Sequence, residues 1–499
     1  MIAAFALASV LMLPAAPLRS DTLPASPPLA PNHWAVDAAR RAEALGLADG
    51  YQPAQRGVPR AAAAAALRQA AYGAVGTRWS ELTNGWLDRF IEEFPEYAGR
   101  ATQTEGVRGL GSRLAAGYVD RSGRLAPANG LAERQIPPAP LPGEDGAVLD
   151  GVVALAWSSG LAAVAEPRVG PGDEGIVRWD VTAALGRLGV SVGEEPIGYG
   201  YGRGGGIVLS GVPVRRIEAQ TLQPFAWPGI LKLLGPTSLH TFLAEISEQR
   251  HPGDPYFWGM RVGIQPHPRL TLALNRAAIL GGDSVTTPFT ARNFGRMLVG
   301  YRAGDLSNQI ASAEIRYRLP TEGVIPLTLY GEWGTEDSAG AYRDVPGTLV
   351  GIFLPGLPFL PTASLGGEYT RFAPFCCGNP PWYFSVDHPG GWVLADEPLG
   401  HPLGGEGWEA LLYGSADLGE AIWRLDGRLF LRDRGREGFD TFLKAGNLFA
   451  PDRAGRSVGA AAQALWRASP AAEVTLSYAR EEGDGWREQR LIAAFGVLF

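Results

Sequence analysis

Cysteine is nearly absent: the 499-residue chain has two, Cys376 and Cys377, and they are neighbours. Adjacent cysteines bridge only through a strained ring, so no disulfide framework is available. With no His or Cys at zinc-ligand spacing beside them, the pair reads as two thiols in a Gly/Pro-rich loop. Also missing is any apolar run long enough to cross a bilayer as a helix, which takes about 20 residues. The run Ile2 to Ala16 spans only about 15 and reads as a signal-peptide h-region within residues 1–20, although no Lys or Arg precedes it. Charge is sparse, with 19% Asp, Glu, Lys and Arg and a net balance of −7. No basic face exists to hold a phosphate backbone, which excludes nucleic acid as a partner. Catalytic signatures are missing too. The six histidines, His33, His240, His251, His267, His388 and His401, form no zinc-type helix pair, and no Gly-x-Ser-x-Gly elbow occurs. The sequence predicts no enzyme, no cofactor and no metal site, although a triad assembled from distant segments stays open at this point.

What is abundant is glycine, 67 residues, and proline, 40, the mixture of many strands joined by many turns. The chain divides accordingly. A Pro-rich spacer covers residues 21–31 and a helical stretch residues 32–100. Trp34, Ala38, Ala42 and Leu45 recur at helical spacing, Gly46 stands where that helix would end, and Ala61 to Ala71 form a second helix. A third is predicted over Trp79 to Tyr97, with Leu82, Trp86, Phe90 and Phe94 on one face. From residue 106 to 499 the period changes to two. Ile176–Leu185, Gly206–Val214, Leu270–Ile279, Ile310–Leu319, Leu327–Trp333, Ala421–Leu431 and Ala472–Arg480 alternate apolar and polar residues between turn signals. The count is roughly 16 to 20 strands with eighteen preferred, which predicts a mainly β chain: a large antiparallel transmembrane β-barrel preceded by a small periplasmic helical module. In the last strand Leu491, Ala493, Phe495, Val497 and Phe499 share one face, the face that meets outer-membrane lipid if the strand spans.

Two resemblances sharpen this reading. His33-Trp34-Ala35, Ala42-x-x-Leu45-Gly46-Leu47, Gly50-Tyr51 and Val58-Pro59-Arg60-Ala61 resemble one S-layer homology repeat over residues 32–73. Ala62 stands where that family carries an acid, and one copy is visible where three are usual. The resemblance implies a periplasmic module contacting peptidoglycan or a wall-linked polymer through residues such as Trp34, Gly50, Tyr51 and Arg60. A helical hairpin that plugs or braces the barrel is the alternative.

The second resemblance runs through the strands. Gly198 to Gly206, flowing into Ile207-Val208-Leu209-Ser210, is the most glycine-rich stretch. A strand follows it, not a helix, so it is no phosphate cradle. Tyr199-Gly200-x-Gly202 with the segment ending at Ser210 resembles the aromatic-Gly-Pro-Gly…Leu-Ile-Leu-Ser element of the Wzi capsule assembly family, without its Pro and paired Trp. Gly259-Met260-Arg261-Val262, Leu274-Asn275-Arg276, Gly281-Gly282, Asn308-Gln309, Ile315-Arg316-Tyr317, the stretch Leu329 to Glu336-Asp337, and Gly400 to Gly405 around His401 follow in the same order. The resemblance implies a surface lectin that organises capsular polysaccharide. Sugars are held by rings that cover their C–H faces and by polar groups on their hydroxyls. Trp227, Tyr256, Trp258, Trp382, Tyr383 and His401 are the candidate contacts, with an interfacial aromatic girdle as the plainer use of the same rings. A porin or sugar-permeation channel anchored to the wall, and a barrel hydrolase, are the competing functions.

Overall fold

The structure is a computed structural model. It describes residues 23–30, 33–51, 57–98, 107–123, 145–157, 160–171, 173–246, 252–283, 285–299, 305–321, 323–336, 346–372, 382–383, 385, 388, 390–394, 397–419, 422–434 and 455–499. The run Ile2 to Ala16 expected to be a signal peptide, Cys376, Cys377 and Asp337 lie outside the described residues.

Three helices come first: α1 (Trp34–Ala44), α2 (Arg60–Gly73) and α3 (Ser80–Glu93). The predicted third helix is shorter than its periodicity suggested. It stops before Pro95, and Pro95–Tyr97 forms a 3-10 turn, because a proline cannot continue the helical hydrogen-bond ladder. Trp34, Leu67, Leu82, Trp86 and Phe90 make a common apolar core among the three.

Beyond them, among the described residues, eighteen strands from Val107–Gly123 to Trp486–Leu498 form one sheet, and the connections add a two-stranded pair and short helical segments. Each strand pairs antiparallel with the next, and the last pairs with the first, for example Phe495 opposite Ala116. The ring is closed and leaves no unpaired edge, which is what a sheet in lipid requires. Among the described residues no helix is long and apolar enough to cross a membrane; the strands are the spanning elements.

The wall obeys the period of two. Outward positions are bare and apolar: Leu149, Leu274, Ile315, Val350, Leu429 and Leu476 are all exposed. The face predicted for the last strand is outward as expected, with Leu491, Phe495 and Val497 exposed and Ile492 buried. Aromatic rings gather in two bands. Trp157, Tyr317, Trp423 and Trp466 lie near the end where the helices sit, here called the lower end, with Trp423 and Trp466 stacked at 5.7 Å. Tyr118, Trp333 and the Tyr369–Trp408 stack lie toward the upper end. Two girdles flanking an apolar band are the mark of a membrane barrel.

Inward positions carry the charge that lipid would not tolerate. Arg168 meets Asp150 at 2.6 Å, Arg216 meets Glu218 at 2.6 Å, Arg261 meets Glu314 at 2.6 Å and Arg432 meets Glu409 at 2.6 Å. Such charge-assisted pairs stiffen the inner wall within and between strands. One expected strand is corrected. Gly206–Val214 is not a strand throughout, since pairing begins only at Ser210. Residues 206–209 leave the wall and turn into the lumen, for reasons given below.

Candidate functional site: a lumen closed from both ends

From the lower end, α1 inserts its charged face into the barrel mouth. Arg41 is fully buried. Its Nη1 donates to Asp417 at 3.0 Å, its Nε to the Pro355 carbonyl at 2.9 Å and its Nη2 to the Thr362 carbonyl at 3.0 Å. Trp86 Nε1 donates to the same Asp417 carboxylate at 3.1 Å. Glu43 pairs with Arg316, and Asp37 with Arg424 at 2.8 Å. Burial alone would raise Asp37, but Arg203, Arg424 and Arg41 around it drive its carboxyl far below the usual range. The module is therefore a brace wedged in the lower mouth, held by ion pairs to several strands.

The residues of the S-layer-like segment serve this packing. Trp34 is buried and its Nε1 donates to Glu93 Oε2 at 2.7 Å, while His33 bonds Oε1 of the same carboxylate at 2.7 Å. Arg60 is buried, donates to the Gly111 carbonyl at 2.9 Å and lies over the Phe94 ring. Gly50 takes a left-handed turn conformation at φ +82°, and Tyr51 packs half-buried on the helical core.

From the upper end descends the glycine-rich connection after Gly198. Here glycine is required by close approach: a Cβ on Gly206 would stand 2.0 Å from the Tyr199 carbonyl oxygen, and one on Gly204 would stand 2.6 Å from Glu409 Oε1 and 3.3 Å from His401 Nε2. With no side chains in the way, backbone amides reach the wall carboxylates. Arg203 N and Gly204 N donate to Glu368 at 2.5 and 2.8 Å, and Ile207 N donates to Glu332 at 3.3 Å. The tip of this connection touches the module, where Arg203 pairs with Asp37 and Arg40 donates to the Tyr201 carbonyl at 2.6 Å.

A second upper connection, described at 382–383, 385, 388, 390–394 and 397–406, packs on the first. Tyr383 Oη donates to the Ile207 carbonyl at 2.6 Å and accepts from His401 N at 2.8 Å. Tyr383 N donates to Glu336 at 2.9 Å, Trp392 Nε1 to the Val208 carbonyl at 3.0 Å, and Ser210 N to the Leu399 carbonyl at 2.9 Å. Tyr199 Oη bonds His240 Nδ1 at 2.7 Å. Ile207, Val208, Leu209, Trp382, Tyr383 and Trp392 are all buried in one apolar cluster. Ring–backbone bonds and apolar burial thus draw residues 206–209 off the sheet. His401 is fully enclosed; burial first, and then the charge of Arg432, push it down to about 3, so the ring is neutral. Its Nδ1 accepts from Leu403 N at 3.2 Å.

Of the predicted site residues, the structure brings Tyr199, Gly200, Gly202, Ser210, Glu336, Trp382, Tyr383 and His401 together in this upper plug. It does not bring the others there. Trp227 lies in the connection 222–236 at the lower end, half-buried, with its Nε1 on Thr237. Tyr256, Trp258 and Arg276 point outward from the upper wall, Trp258 buried beneath a short external helix and Tyr256 against Phe289. Sequence reasoning missed Glu368, Glu409 and Tyr413 and named Tyr330 and Glu332 only within the family-like stretch, though all five are inward groups that receive the plug. Tyr330 and Glu332 share one face by alternation, whereas Glu368, Glu409 and Tyr413 stand singly among Gly, Thr and Leu and carried no such signal. Between plug, module and wall a cavity of about 240 Å³ remains, lined by Trp34, Arg40, Arg178, Arg203, Arg428 and Gln463 among others.

Residues 181–418 match the family model described as capsule assembly protein Wzi. Among solved structures, the chain is similar to Wzi of Escherichia coli, an outer-membrane protein involved in group 1 capsule assembly and described as a carbohydrate-binding β-barrel. The TM-score is 0.71 at 16% identity, covering 94% of this chain and 99% of that one. OccK11 and OprD of Pseudomonas aeruginosa match at TM-scores of 0.44 and 0.43, each 12% identical. They cover 80% and 78% of this chain and 99% and 95% of theirs. No curated protein matches in sequence.

Proposed function

We propose that this chain is a Wzi-type outer-membrane barrel that binds and organises surface polysaccharide and catalyses nothing. The observation that carries the reading, beside the family match, is a lumen occupied from both ends by segments that touch. A diffusion channel needs a continuous watery path. Here a helical brace and a glycine–aromatic plug meet in the interior through Asp37, Arg40, Tyr201 and Arg203. A barrel stoppered from both sides is a rigid support for an outer surface.

In this reading the glycan rests on the upper end. Trp382, Tyr383 and His401 hold the connections of that end in place from below, as positioning residues more than as rings stacked on sugar, since all three are buried. The helical module faces the periplasm, and its exposed Tyr72 and Val75 are the side chains open to a wall polymer. The test pairs two measurements on one refolded sample: binding of capsular glycan from the source cells, and single-channel conductance in a planar bilayer. Glycan binding with little conductance is expected. Steady conductance without binding would overturn the reading in favour of a porin.

A further inference from the structure

The external helix that covers Trp258 belongs to neither stopper. It is α4 (Ala291–Leu298), within the upper connection between the strands Leu270–Leu280 and Ser307–Arg318. On these strands and on Tyr256–His267 the inward residues are Phe257, Arg261, Asn275 and Glu314, all buried in the lumen. By alternation Trp258, Arg276 and Gln309 face out. Below Arg276 the outer wall is bare and apolar, with Leu274 at 63% and Ile315 at 52% exposure. At Arg276 and Gln309 it turns polar, which marks the upper boundary of the lipid-facing band, and α4 lies across that boundary.

The helix is fixed there by its own chemistry. Phe294 and Met297 are buried against Trp258, Ala278 and Leu280. Arg276 Nη2 donates to the Met297 carbonyl at 2.7 Å and Nη1 to the Leu298 carbonyl at 2.9 Å, which satisfies the open C-terminal end. Thr290 Oγ1 accepts from Asn293 N at the other end. What α4 presents outward is Arg292 and Arg296, one helical turn apart and both exposed, followed by the exposed Leu298 and Val299. The acids of the same connection are committed to its fold: Asp283 accepts from Gly253 N at 2.8 Å, and Asp305 from Thr286 N and Thr287 N at 2.8 and 3.0 Å.

An amphipathic helix at the polar boundary of a membrane, with two guanidinium groups above an apolar pair, has the layout of a lipid headgroup contact. Guanidinium forks match phosphate oxygens, and methylenes cover Leu and Val. We infer that α4 is a docking site for the phosphate of an outer-leaflet lipid headgroup, holding a shell of phosphorylated glycolipid against this side of the barrel. The inference uses the outer wall only and stands apart from the polysaccharide reading, so either can fail alone.

The test uses the full-length protein in a zwitterionic detergent with diphosphoryl lipid A as probe. Wild-type protein is expected to bind it, and to ignore inorganic phosphate at the same concentration. Arg292→Gln with Arg296→Gln is expected to weaken binding roughly 30-fold, whereas Lys at both positions, keeping the charge and losing the fork, weakens it less than that. Arg456→Gln, at the upper end but distant along the sheet, serves as control and leaves binding unchanged. Heat-modifiable gel mobility shows that each variant is folded. Undiminished lipid A binding by the folded double Gln variant would overturn the site. So would equal binding of phosphatidylcholine, or displacement of the lipid by inorganic phosphate alone.

Discussion

The two stoppers of this barrel are built on opposite principles. The lower one is a preformed helical unit with its own apolar core, attached to the rim by ion pairs such as Arg41–Asp417 and Asp37–Arg424. The upper one shares its apolar cluster with the barrel wall. It is two connections whose glycines let backbone amides reach carboxylates on the wall, and whose rings bond to carbonyl groups. The first depends on charge and the second on closeness, so they should break under different substitutions.

The largest effect is expected in the upper plug, where close approach leaves no room for repair. Gly206→Val would drive a side chain into the Tyr199 carbonyl, 2.0 Å from the Cβ position. Overpacking of this severity costs more than about 3 kcal/mol, because backbone, not a flexible side-chain end, must move. The expected outcome is a barrel that still inserts but whose connection 199–209 is expelled, seen as new conductance and as cleavage of that segment by external protease. Unchanged conductance would mean that the module alone seals the lumen.

Arg41→Ala comes next and acts on the other stopper. It removes one of two guanidinium partners from the buried Asp417, which keeps Arg424 and Trp86. Because the charge stays compensated, the cost falls below the about 3–5 kcal/mol of a fully broken buried pair. Hydrogen exchange should accelerate in α1 while the Gly204 amide of the plug, bonded to Glu368, stays protected. If both stoppers loosened together, the Asp37–Arg203 bridge between them would be a structural coupling and the two could not be treated separately.

Acid separates the stoppers by window. His401 of the plug is buried and neutral, pushed down to about 3 from 6.5. The unfolded segment takes up a proton that the folded one refuses, so its contribution is complete above about 6.5 and declines as pH falls toward 3. Glu93 of the module is raised by burial, but His33, Arg89 and the Trp34 bond outweigh this and hold it at about 2, below its usual 4.5. Its contribution is complete above 4.5 and declines only toward 2. Conductance should therefore rise at a higher pH than exchange in α1. His401→Gln should flatten the first transition and Glu93→Gln the second.

This contrast also explains what could be read without coordinates. Barrel, strand number and the outward face of the last strand follow from a period of two, because lipid imposes one rule on every outer position. The helical module follows from Trp34, Ala38, Ala42 and Leu45. The plug did not follow. Ile207-Val208-Leu209 has the composition of a strand, and only the approach of Gly206 to Tyr199 and the bonds from Tyr383 and Trp392 make it a lumen segment. Trp258 and Arg276 have the chemistry of a ligand site, yet a single step in register decides between lumen and lipid. The structure puts them outside, under α4.

The smallest effect tests which end carries the glycan. Trp227 has the ring of a sugar platform, but it stands half-buried at the lower end with its indole N–H on Thr237 at 3.0 Å. Trp382 is buried in the plug, edge-on to Phe372 at 5.3 Å. Trp227→Ala should leave capsular glycan affinity within about twofold, since isolated surface substitutions stay within roughly 0.5 kcal/mol. Trp382→Ala removes a buried ring at a cost of about 3–5 kcal/mol to its surroundings and should weaken glycan binding by unseating the upper connections. The informative case is the reverse. A glycan loss at Trp227 with none at Trp382 would place the polymer at the lower mouth, where the ion-paired brace, not the glycine plug, would be the element it meets.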